Sequence, residues 1–115
     1  MNKEIETIFK DFEVDGKTIP VSFLRYNGKA TTYVTYQEVE ADNSLSGDDE
    51  LLAYVTFYDF DIYSKGNYFK VMDALKQKLK DNGWRWQPSL SSEDMYEDDT
   101  GYYHKTLNFA KEKEE

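Results

Sequence analysis

His104 is the only histidine in the chain, and there is no cysteine. No serine in the context of an activated nucleophile lies near it, and no second histidine stands at ligand spacing. A lone histidine among tyrosines on a strand face reads as structural. Asp59 and Asp61, two apart on one strand face, are the right groups for an acid and base pair. Such a pair needs a pocket that separates the two pKa values, and the sequence marks none, so Asp61 is expected to bond to the adjoining turn or to cap a helix. Asp42, Ser44, Ser46 and Gly47 fit positions 1, 3, 5 and 6 of a calcium loop. Position 12, which needs a bidentate glutamate, holds Ala53, and no helical pattern flanks the segment. Asp48, Asp49 and Glu50 carry enough carboxylate oxygen to hold a divalent cation weakly at a subunit contact, but a solvated acidic loop is the favoured reading. Trp84-Arg85-Trp86 has rings that can stack on bases; without a basic groove beside it, core or interface packing is the better use. There is no glycine-rich phosphate loop. No catalytic, cofactor-binding or metal-ligating residue is assigned, and the expectation is a protein that is not an enzyme.

Composition narrows the partners. The 115 residues carry 23 acids against 14 lysines and arginines, a formal net charge of −9. Binding a nucleic-acid backbone requires cations that displace counterions, so nucleic acid and anionic membrane surfaces are both disfavoured. Protein partners, including basic ones, remain. Aromatics make up 17% of the chain, with ten tyrosines, and tyrosine's polar tip suits the rim of a core or a contact between chains. The start, Met1-Asn2-Lys3-Glu4, lacks the basic and apolar regions of a signal peptide, and no apolar run is long enough for a transmembrane helix; a cytosolic protein is expected.

These residues must be held by a single α+β domain spanning 1–115. An antiparallel sheet of four to five strands is expected, with a short N-terminal helix and one longer helix packed on it. Ile5, Ile8, Phe9 and Phe12 recur at i, i+3, i+4 and i+7, the stripe of a short helix capped by Asn2. Residues 19–26 alternate as a half-buried strand, and Asn27-Gly28 is the signal for a hairpin turn into a second strand over 31–38. Residues 41–50 read as an acidic loop. The centre of the chain is residues 51–63, a strand of β-branched and aromatic types that would extend about 43 Å at the usual rise. A strand that long must bend through a bulge or project beyond the sheet as a ribbon arm. Asp59 and Asp61 lie opposite Phe60 and Ile62, whereas both faces are apolar around Ala53, Tyr54, Val55 and Phe57. A helix over 67–82 places Tyr68, Val71, Met72, Leu75 and Leu79 on one stripe and stops at Gly83. A second acidic loop is expected over 89–101, a last strand over 102–109, and a frayed tail over 111–115.

Taken together, the ordered pieces resemble a family of small siphophage tail proteins, the tail-completion or tail-terminator proteins of phages and prophages of Gram-positive bacteria. The resemblance lies in Ile19-Pro20-Val21 and Tyr26, in Thr32-Tyr33-Val34-Thr35-Tyr36, and in Asp48-Asp49-Glu50 before the long strand. It continues in Asp61-Ile62-Tyr63-Ser64-Lys65 leading into a helix, in Gly83 with an aromatic after it, and in Tyr96-Glu97 followed by Tyr103-His104-Lys105. It covers nearly the whole chain, although Trp84 and Trp86 are heavier, and the 89–101 segment longer, than the family pattern.

The resemblance implies a structural virion protein that ends the tail tube and joins it to the head connector. It implies a ring oligomer, a hexamer, without cofactors. The implied partners are further copies of the chain, the major tail tube protein and a head-completion or connector protein. The implied location is the host cytoplasm during assembly and then the virion tail. Asp48, Asp49, Glu50, Tyr54, Val55 and Phe57 form the expected assembly interface, because the first part of the long strand is too apolar on both faces for a lone sheet. An acidic inhibitor that mimics DNA and blocks a host nucleic-acid enzyme is the alternative from another class. A mimic needs carboxylates spaced like phosphates along one face; here they gather in two loops and the tail, with lysines along the helix, which favours the tail protein.

Overall fold

The computed structural model describes the backbone of residues 2–47 and 50–114; for 40–47, 50–54 and 113–114 it describes the backbone only. Among the described residues the fold is α+β. A short helix α1 (Lys3–Ile8) leads into a two-stranded ribbon of β1 (Glu13–Val14) and β2 (Lys17–Thr18). The main sheet contains β3 (Val21–Phe23), β4 (Thr32–Gly47), β5 (Glu50–Ser64), β6 (Arg85–Trp86), β7 (Met95–Glu97) and β8 (Tyr102–Glu114). Helix α2 (Phe69–Asp81) joins β5 to β6. The spatial order is β3-β4-β5-β8-β6, with β7 also paired to β8.

The helices form as their sequences dictate. The Asn2 side chain accepts the amide of Ile5 at 3.2 Å, which satisfies one of the free donors at the start of α1. Asn67 does the same for Phe69 of α2 at 2.9 Å. Gly83, at φ +87°, takes the left-handed conformation that ends α2 and lets the Trp84 amide donate back to the Leu79 carbonyl. The stripe Val71, Leu75 and Leu79 is buried against Phe60, Ile62, Leu107 and Phe109 of the sheet, and α1 adds Ile5 and Ile8 to the same core. Phe9 and Phe12 meet edge to face, 5.2 Å between centroids, and close that end of the core.

Four parts of the sequence reading need correction. The sheet is mixed and six-stranded, because β3 runs parallel to β4 with Val21 opposite Val34. Asn27-Gly28 therefore makes no hairpin turn. The loop closes on Tyr26 instead, whose hydroxyl accepts the Ala30 amide at 2.9 Å. A Cβ at Gly28 would clash with the end of the Tyr26 ring, so glycine gives that ring its close approach.

Residues 41–47 are strand rather than loop, pairing with β5 from Ala41↔Thr56 to Gly47↔Glu50. Low hydrophobicity misled there, because β4 takes its order from backbone pairing with an apolar partner strand. Residues 111–114 are likewise strand and not a frayed tail, pairing with β5 as far as Ala53↔Glu114. The 89–101 segment carries a 3-10 turn at Pro88–Leu90 and the strand β7, both along the outer edge of β8.

Candidate assembly surface

Strand length sets the site. β4, β5 and β8 outrun the helices that cover the core and continue as a three-stranded ribbon, giving the molecule extents of 52 × 28 × 23 Å. The core along β5 reaches Tyr58, and α1 is tied to it there by the Asn2 amide on the Tyr58 hydroxyl at 3.1 Å. Lys111 of β8 marks the same boundary. Its ammonium pairs with Glu4 of α1 and donates to the Asn82 carbonyl at the C-terminal end of α2 at 2.9 Å, where a cation complements the helix dipole.

The register of β5 against β8 runs without interruption from Ser64↔Tyr103 to Ala53↔Glu114. On β4 the register shifts between Glu38 and Glu40 and again between Asn43 and Leu45 and between Leu45 and Ser46. The first two shifts place an extra residue on β4 and the third places one on β5, and such bulges increase the local twist.

Val55 and Phe57, two of the expected interface residues, lie half-buried in this ribbon and outside the core cluster. They share the face of Asp59 and Asp61, opposite the helices, so an apolar patch adjoins a polar one on the same strand. Glu50 and Tyr54 belong to β5 by backbone pairing; their side chains, and all of Asp48 and Asp49, lie outside the described residues.

The polar part of that face is ordered row by row across three strands. Tyr33, Tyr63 and His104 stand side by side in register, with Tyr33 stacked on Tyr63 at 5.0 Å and Tyr63 on His104 at 4.2 Å. Tyr26 extends the stack over Tyr33 at 4.6 Å. In the next row Asp61 accepts from Thr106 and lies 3.0 Å from His104 Nε2. In the third, Asp59 accepts from the Asn108 amide at 2.9 Å. Burial is the main cause raising the Asp59 carboxyl above its ordinary value, with Asn108 opposing and Asp61 adding to it. Burial also pushes the Tyr63 phenol up to about 12, helped by Asp61.

Asp61 thus bonds across the sheet, and not to the adjoining turn or a helix end. His104 Nε2 faces both Asp61 and, at 3.4 Å, the Thr106 hydroxyl, and Thr106 is itself bonded to Asp61. The rows link β5 to β8 through side-chain hydrogen bonds, although the Asn108 side-chain oxygen is buried without a hydrogen-bond partner among the described residues.

Trp84 and Trp86 divide as packing predicts. Trp84 is 1% exposed and meets Tyr58 edge to face, while Trp86 is 41% exposed beneath the Lys76 ammonium, 3.7 Å from its centroid.

Two features of the surface escaped sequence reasoning. One is Lys111, whose neighbours Glu4 and Asn82 lie far off in the chain. The other is the pair of uncovered ribbon edges, because a loop-like composition concealed the second half of β4. No protein-family profile matches the chain, and no curated protein matches it.

Proposed function

We propose that this protein is a structural subunit that assembles with copies of itself through the ribbon of β4, β5 and β8. In that role it acts as a non-enzymatic ring that ends a phage tail tube and joins it to the head connector, contacting the tube protein on one side and the connector protein on the other. The assignment to a phage tail rests on the sequence resemblance described above. The single observation that supports self-assembly is the apolar pair Val55 and Phe57, which stands half-buried on the sheet face that α1 and α2 do not cover. A three-stranded ribbon draws its stability in water from burying an apolar face, and half-buried Val55 and Phe57 leave part of that face open. A second copy that covers the ribbon offsets that deficit.

The test is native mass by sedimentation over a concentration series, for the wild type and for Val55→Lys, Phe57→Lys. The wild type is expected to form a closed ring, and the double variant to remain monomeric with an unchanged circular-dichroism spectrum, because neither residue belongs to the core. A double variant that assembles as well as the wild type would move the interface elsewhere.

A further inference from the structure

Among the described residues the ribbon has two uncovered edges, and hydrogen-bond parity tells which backbone groups they present. On β4, the Val34 amide donates outward to Pro20 at 2.8 Å and the Tyr36 carbonyl accepts outward from Leu24 at 2.9 Å. Tyr33, Thr35 and Gln37 therefore face β5, and their partners Tyr63, Asp61 and Asp59 face β4. Continuing the alternation along β5, Phe57 and Val55 also face β4, where they meet Glu40 and Asp42. The N–H and C=O groups of Ala41 and Asn43 are left pointing outward.

On β8, Thr106 and Asn108 bond outward, accepting from the amides of Ser92 and Gln87, and Ala110 is opposite Arg85 of β6. By the same parity Glu112 and Glu114 point outward, past the end of β6. β3 covers β4 only at Val34, Thr35 and Tyr36. Each edge thus offers a short regular stretch: residues 40–43 of β4, between its register shifts, and residues 111–114 of β8.

We infer that successive copies join by main-chain hydrogen bonds, residues 40–43 of one copy adding to residues 111–114 of the next. This rests on the self-assembly reading above and adds to the Val55 and Phe57 face a second contact, along the strand edges. The geometry suits a cyclic arrangement. β4 and β8 are both antiparallel to β5, so they run in the same direction on opposite sides of one ribbon. Rotation about an axis roughly along the strands preserves direction, and β4 of one copy meets β8 of its neighbour as a parallel pair. The contact is heterologous, using two different patches, and closes into a ring when the rotation closes. The two free stretches match in length, and unpaired edges are the usual template for strand addition.

Proline tests the contact without breaking the fold. At Ala41 or Glu112 it removes an outward N–H that β5 does not use, and proline is tolerated on strand edges. Ala41→Pro and Glu112→Pro are each expected to weaken association at least tenfold in sedimentation, while Ala41→Ser and Glu112→Gln, which keep the N–H, assemble as the wild type does. In the wild type, hydrogen exchange is expected to show the amides of Ala41, Asn43 and Glu112 protected in the assembly and open in the dilute monomer. Proline variants that assemble normally, with those amides still exchanging, would overturn the edge contact and leave the self-assembly reading standing. Protection at Ala41 alone, in a species of twice the monomer mass, would replace it with a β4-to-β4 dimer. A wild type that stays monomeric throughout overturns both.

Discussion

At the scale of single residues, the polar face of the sheet shows how carboxylates are kept in a partly buried place. Asp61 has Thr106 and His104; Asp59 has Asn108 and a like-charged neighbour. The consequence for pH follows from the direction of the Asp59 shift. Its folded value lies above the ordinary carboxylate value of 3.8, so between the two the native state holds a proton that the unfolded state releases. Stability from this group is full below that window and is lost as pH rises through it. Asp59→Asn keeps an oxygen for Asn108 and removes the charge. Urea unfolding from pH 3 to 7 is expected to show the variant gaining on the wild type as pH rises, by a small margin since Asp59 retains access to water. A gap that narrowed with rising pH would contradict the assignment. Gly28 makes a steric prediction: Gly28→Ala must displace the Tyr26 ring from its bond to the Ala30 amide and is expected to cost about 0.5–1.5 kcal/mol in the same measurement.

At the scale of elements, α2 is the part whose loss would be felt most. Leu75 is fully buried on its inner face, so Leu75→Ala is expected to cost about 2–5 kcal/mol by thermal or urea unfolding. Asn2→Ala, which removes the cap of α1, is expected to cost about 1 kcal/mol. An unchanged midpoint in either variant would mean that the helix is not docked as described.

Both helices were legible from the spacing of Ile5 with Ile8 and of Val71, Leu75 and Leu79, because period and burial coincide there. The long β5 was legible for the same reason, and so were the opposed faces of Asp59 and Phe60. The second half of β4 was not. Asp42, Asn43 and Ser44 have poor strand propensity, and only the partner strand explains their extended backbone. The parallel placement of β3 was also hidden, since Asn27-Gly28 signals a hairpin and gives no warning that Tyr26 fills the space a turn would need. Val55 and Phe57, expected at an interface for their excess of apolar character over what one sheet face can bury, lie half-buried on β5 and outside the core cluster.

At the scale of the whole molecule, shape is the most telling property. The long axis of 52 Å is about twice the other two, in line with strands of 13 to 16 residues at the usual rise. The ribbon joins an apolar patch at Val55 and Phe57 to two open edges that run in the same direction, a combination suited to repeated side-by-side addition. The net charge of −9 opposes association over long range, so assembly is expected to strengthen with added salt, which screens repulsion between copies. Sedimentation of the wild-type chain over a concentration series, at low and at physiological ionic strength, tests the central claim most directly. The account predicts a shift from monomer to one closed species of defined mass, favoured by the higher salt. A single monomeric boundary at every concentration and both salts would contradict it.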